Sequence, residues 1–179
     1  EENNLKLVFG KRILLGDVAD CKLGSKKNKV FDKNFIYEYL DEQVAVPHLS
    51  TLYDRELAIS LDFYCFDIIS SDRQSILNLA FDHKIGFIDQ VAGGWRDTGI
   101  NVSRQLDLKK RITNVSLPYL VVKSIRGRGL DHKKLDKWSN KYTGKIIANY
   151  ISMYALSGNY KKMFIFTYKV LKEYPLLAF

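Results

Sequence analysis

The chain has 179 residues, 28 lysines and arginines against 20 aspartates and glutamates, and a formal net charge of +8. Hydrophobic residues make up 46% and aromatics 13%, with only 11 glycines and 3 prolines, which excludes collagen-like, low-complexity and strongly disordered chains. This length buries an ordinary core without staples, and no apolar run reaches the roughly 18 residues that span a bilayer. Two cysteines, Cys21 and Cys65, build neither a disulfide framework nor a zinc knuckle, so a reducing compartment is expected. The opening Glu1-Glu2-Asn3-Asn4 lacks the basic and apolar regions of a signal peptide and an initiator Met, as in a processed product or an excised piece.

The charge is segregated. Residues 1–103 carry 12 basic and 16 acidic side chains, net −4, and residues 104–179 carry 16 and 4, net +12. This step marks a composition boundary near residue 104 and predicts two parts with different partners. A basic surface attracts nucleic acid, anionic lipid or phosphorylated ligands, although a solvated face explains the same pattern equally well.

In chain order, Leu5–Phe9 and Arg12–Leu15 are apolar runs around Gly10-Lys11, which reads as a hairpin or two edge strands. Residues 16–29 are polar, with Gly24–Asn28 as an exposed loop. Asp32 heads a short helix to Leu40, with Phe35, Ile36, Tyr39 and Leu40 on one side. Pro47 leads into His48–Tyr53, read as a buried strand, and Arg55–Ser60 is helical. Ser70-Ser71-Asp72 then precedes a helix over Arg73–His83 with a wide apolar face, started by a Ser or Asp cap. Residues 84–89 and 91–95 give two strand signals, the second loosened by Gly93-Gly94. The first part is thus mixed α and β.

The second part is mainly helical. Gln105–Ile112 and Tyr119–Ile125 flank Pro118, and Arg126-Gly127-Arg128-Gly129 is a break. Asp131–Leu156 is a long helix with Leu135, Trp138, Tyr142, Ile146, Tyr150 and Tyr154 on one stripe and Lys134, Lys137, Lys141 and Lys145 beside it. Gly158 suits a helix C-cap, and Tyr160–Glu173 forms a second helix stopped by Pro175, which completes a helical hairpin.

Few motifs carry chemistry. His48, His83 and His132 have no ligand-spaced partners, so each is read as a surface or satisfied residue. No P-loop, G-x-S-x-G, G-x-G-x-x-G or D-x-D occurs, and Asp17 and Asp20 read as loop acids. Asp72 stands out. A carboxylate at a helix start is most often a cap, but the helix N-terminus also keeps it ionised and fixed, as a general base requires. Arg96 is suited to a bidentate phosphate contact, with a surface ion pair as the plain alternative.

The ordered segments Val46–Leu57, Ser71-Asp72-Arg73 through Ala80, Gly86-Phe87-Ile88-Asp89, and Trp95-Arg96 through Ser103 together resemble the later half of family 2 glycosyltransferases of the GT-A fold. The resemblance covers about residues 5–103 and rests on short, common residue types. It implies an α/β fold, a partial mixed sheet of a GT-A-like domain, with residues 1–103 as the acceptor-side part and 104–179 as a basic helical C-terminal extension. It implies that Asp72 is the catalytic base deprotonating an acceptor hydroxyl, with Ser71, Trp95 and Arg96 on the substrate. Ser71 stands where the family often has Glu, and Thr98 where it often has a His near the diphosphate and metal.

The implied activity is inverting sugar transfer from a nucleotide-sugar to a glycan or lipid-linked acceptor. The divalent ion, Mg or Mn, expected for the intact enzyme would be held by a motif upstream of this chain. The implied location is the cytoplasm, at the inner face of the membrane if residues 131–172 make a peripheral membrane contact. A truncated sheet would expose an edge or an apolar face and favour homo-oligomers. The competing readings are a basic helical module that binds nucleic acid or an anionic membrane, nucleic acid being the disfavoured partner, and a helical interaction domain without chemistry.

Overall fold

The computed structural model describes residues 5–15, 28–32, 35–41, 46–65, 68, 71–96 and 107–174, with the side chains of 12–15, 95 and 96 outside that set. The protein is α/β, with a four-stranded mixed sheet followed by C-terminal helices. It divides into two units, one formed by residues up to 65 with 72–101, the other by 66–71 with 102–179.

In the first unit, β1 (Leu7–Leu15) and β4 (Ile85–Arg96) are the central strands, flanked by the short edge strands β2 (Lys29–Phe31) and β3 (Thr51–Tyr53) in the order β2-β4-β1-β3. β1 and β4 run parallel, while β3 on β1 and β2 on β4 are antiparallel. The expected hairpin at Gly10-Lys11 is therefore replaced by one continuous strand. Those residues form a bulge instead of a turn: Gly10 pairs with Ile88 but Lys11 with Val91. A Cβ at Gly10 would come within 2.7 Å of the Ala92 Cβ and 2.9 Å of the Gln90 carbonyl, so the close approach requires glycine.

A bulge disrupts the ladder locally, and side chains take up backbone groups on both strands. The buried Ser50 hydroxyl donates to the Gly10 carbonyl (2.9 Å), and the Asp89 N–H donates to the Asn28 side-chain oxygen (2.9 Å). Lys11 and Asp89 form an ion pair across the strands. The two strand signals at 84–95 likewise merge into the single strand β4. A Cβ at Gly93 would meet the Leu49 carbonyl at 2.6 Å, so this glycine permits close packing instead of ending the strand.

One sheet face presents Leu7 and Phe9 of β1, Phe31 of β2, and Ile85 and Phe87 of β4, all buried. Helix α1 (Phe35–Leu40) buries Phe35, Ile36, Tyr39 and Leu40, the four positions expected of it. The rings interlock, with Phe9–Phe87 centroids 5.3 Å apart, Phe31–Phe35 5.2 Å and Phe35–Tyr39 5.6 Å. The segment expected as a buried strand at His48–Tyr53 is a 3-10 turn (His48–Ser50) followed by β3. Leu52 is 80% exposed, because β3 is a sheet edge with one solvated face. Helix α2 (Arg55–Ser60) follows, with Asp54 as its N-cap, accepting from Leu57 N–H at 2.9 Å. Helix α3 (Asp72–Asp82) buries Ile76, Leu77, Leu79, Ala80 and Phe81.

The second unit holds α4 (Leu108–Val115), α5 (Leu117–Ile125), α6 (His132–Leu156) and α7 (Tyr160–Glu173). Pro118 does not separate helices by breaking one. It sits in the first turn of α5, where its missing N–H has no intrahelical partner to lose. Asp107, Asp131 and Asn159 cap α4, α6 and α7 through side-chain oxygens. Ile112, Val115, Ile146, Tyr150, Tyr154, Phe166 and Val170 form a core, with the α6 lysines Lys134, Lys137, Lys141 and Lys145 exposed outside it.

Gly10→Val is expected to destabilise the sheet by about 1–3 kcal/mol through overpacking at the bulge. Phe166→Ala, at a fully buried site, should cost about 3–5 kcal/mol. Urea unfolding of both variants checks these values.

Candidate functional site

Asp72 opens α3, the helix that precedes the central strand β4. Only His83 and Lys84 separate α3 from β4. Asp72 is half-exposed and is the first helical residue, inside the first turn and not the capping residue before it. A carboxylate there is favoured by the positive end of the helix.

Tyr64 is tied to the first turns of the same helix. Tyr64 follows α2 in a tight turn in which both Asp62 (φ 51°) and Tyr64 (φ 67°) adopt the left-handed region, a conformation that costs non-glycine residues energy. Two bonds hold it: its N–H donates to the Ser75 hydroxyl (3.0 Å), one turn along α3 from Asp72, and its phenol oxygen bonds His48 Nε2. The phenol ionises well above the ordinary tyrosine range. Burial is the main cause, followed by the neighbouring Tyr53 phenol and, more weakly, the Asp72 carboxylate. Tyr64 therefore stays a neutral hydroxyl at physiological pH.

Around Tyr64 the rings of His48, Tyr53 and Phe63 pack closely, with Tyr53–Phe63 stacked at 4.7 Å and Phe63–Tyr64 edge-on at 4.9 Å. Beside them a cleft of about 450 Å³ is lined by Tyr53, Arg55, Ala58, Ile59, Asp62, Phe63 and Tyr64. Its wall, α2, is anchored by Asp54, which caps the helix and pairs with Lys6 at 2.7 Å. The Leu57 N–H, and then Lys6, hold the Asp54 carboxyl below the usual carboxylate range. An aromatic-walled cleft with one cation and one carboxylate suits a small polar ligand with a flat apolar face.

The other expected site residues are placed less closely. Ser71 is half-exposed, directly before Asp72, and its N–H donates to the Ile68 carbonyl (3.1 Å). Trp95 and Arg96 are the last two residues of β4, opposite Leu14 and Leu15 of β1, and their side chains lie outside the described residues, as do Thr98, Asn101 and Ser103. Asp17 and Asp20 are likewise outside. Among the described residues no three His, Cys, Asp or Glu side chains gather where a metal ion would bind. Cys65 is a free thiol 3.6 Å from the Gln74 side-chain oxygen. No helix among the described residues is long and apolar enough to cross a membrane.

Sequence spacing does not reveal Tyr64, Tyr53 or the His48 contact. His48 and Tyr64 are 16 residues apart, and they meet across the turn after α2, in which Asp62 and Tyr64 are both left-handed. No known protein family matches the chain, and no curated protein matches it.

Because the folded Asp54 carboxyl ionises below its ordinary value of 3.8, its stabilising contribution is complete above that value and fades as pH falls through the lower folded one. Asp54→Asn should therefore lower Tm at neutral pH, and the difference from the parent should shrink in strong acid. Thermal melts across a pH series measure this.

Proposed function

We propose that the chain is the acceptor-side part of an inverting glycosyltransferase, with Asp72 as the base. The observation that carries the reading is the position of Asp72. It is a half-exposed carboxylate on the first residue of a helix that leads, after two residues, into a central strand, and the Tyr64 N–H, from the wall of the aromatic cleft, bonds Ser75 one turn along the same helix. The ordered resemblance of residues 46–103 to family 2 glycosyltransferases supports the same assignment.

In this reaction the acceptor hydroxyl gives its proton to an Asp72 carboxylate oxygen as the hydroxyl oxygen attacks the anomeric carbon. The new carbon–oxygen bond forms on the face opposite the breaking bond to phosphate. The nucleoside diphosphate departs with the bonding electron pair, so the configuration inverts. Ser71 stands next to the base, and Trp95 and Arg96 bind substrate, the guanidinium being suited to a phosphate oxygen pair. The aromatic rings of Tyr53 and Phe63 supply a flat surface for an acceptor sugar. The described residues do not fit a divalent ion, so no step is assigned to one.

The decisive experiment is Asp72→Asn in the complete enzyme, assayed for transfer from a panel of nucleotide-sugars. Loss of a general base should lower kcat by about 100-fold or more, with little change in KM for the donor. Transfer at near the parental rate would remove Asp72 from the role.

A further inference from the structure

Helix α7 uses one side for the core and leaves another apolar side uncovered. Phe166 and Val170 are buried, but Tyr160 (58%), Phe164 (67%), Tyr168 (67%) and Leu171 (44%) are exposed. Their spacing of four, four and three residues places them on a single stripe about three turns long. Exposed Leu156 and Met153 stand at the adjoining C-terminal end of α6. Contiguous exposed aromatics on one helix mark an interaction surface, unlike scattered surface hydrophobics.

The charge beside the stripe identifies the occupant. Lys161 and Lys172 border it on the side away from the core, with Lys162 and Lys169 farther round, and all four are exposed. Glu173 is the one acidic residue of the helix. A second copy laid on the stripe would bring two lysine rows together in a region that already carries net +12. The lysines lie along one border of the stripe and are not interleaved with its rings. The aromatic row of α6 offers no stacking surface either: Trp138, Tyr150 and Tyr154 are buried and Tyr142 is half-buried. Aromatics and leucine on one side with lysines alongside are the pattern of a helix that lies in a bilayer interface, its rings at headgroup depth and its ammonium groups on anionic lipid.

We infer that α7 is a peripheral docking surface for an anionic lipid bilayer, which Tyr160, Phe164, Tyr168 and Leu171 enter while Lys161 and Lys172 bind headgroup charge. The assignment is independent of the glycosyl-transfer reading and of Asp72.

Co-sedimentation with vesicles tests it. The full chain should sediment with vesicles of equal phosphatidylglycerol and phosphatidylcholine, at least about tenfold more strongly than with pure phosphatidylcholine, and raised salt should release it. F164S combined with Y168S should weaken partitioning by about tenfold or more. K161Q combined with K172Q should weaken it by about fivefold per lysine on anionic vesicles only. Both variants alter exposed residues, so unchanged circular dichroism and Tm would show an intact fold. Three results would overturn the inference: no sedimentation with anionic vesicles, sedimentation unaffected by either variant pair, or displacement of the vesicles by a single-stranded oligonucleotide. A dimer seen by sedimentation velocity and dissolved by the F164S and Y168S pair would overturn it in favour of a second copy.

Discussion

The parallel pairing of β1 with β4 is the constraint from which the first unit follows. Adjacent parallel strands cannot be joined by a tight turn, so the chain must return to its starting end between them. The return passes through β2, α1, β3, α2 and α3. It places both short edge strands on the outside, and α3 is the last element before β4. The aromatic core depends on the same pairing, because Phe9 and Phe87 are register partners on neighbouring strands and Phe31 joins them from the edge.

The irregularity in that pairing has its own supports. At Gly10 and Lys11 the two strands change register, and backbone groups there are taken up by Ser50 and Asn28 from separate parts of the chain. Ser50 also connects the bulge to the 3-10 turn that carries His48, and His48 connects to Tyr64. A continuous set of contacts thus runs from the centre of the sheet to the aromatic cleft. The left-handed residues Asp62 and Tyr64 lie at its end, and the Ser75 and His48 bonds offset the cost of that backbone.

The helical unit is organised differently. Its contacts are largely between helices close in sequence, and each helix from α4 carries legible local signals: Asp107, Asp131 and Asn159 as caps, Pro118 in a first turn, and Gly158 at φ 68° after α6. Its buried polar features are held by rings. Arg111 lies over Tyr154 at 4.5 Å and Tyr150 at 5.3 Å, and the Asn114 side-chain amide donates to the Tyr150 hydroxyl at 2.9 Å. The tyrosine row that the sequence places on one side of α6 is therefore core, and its neighbouring lysines are the solvated side. On α7 an apolar stripe stays exposed.

The sequence by itself determined what depends on neighbours within a turn or two. These features are the charge step near residue 104, the helices over 55–60, 132–156 and 160–173, the buried side of 35–40, and a helix after Ser71 whose first residue proved to be Asp72 and not Arg73, because caps and apolar periodicity act locally. The tertiary structure decided whether Gly10-Lys11 was a turn or a bulge, since that depends on Ala92 and Gln90 some 80 residues away in the chain. It also decided that Leu52 faces solvent and that Tyr64 bonds His48 and Ser75. Strand partners, sheet edges and side-chain clusters are chosen by long-range packing, and the residue spacing along the chain contains no record of that choice.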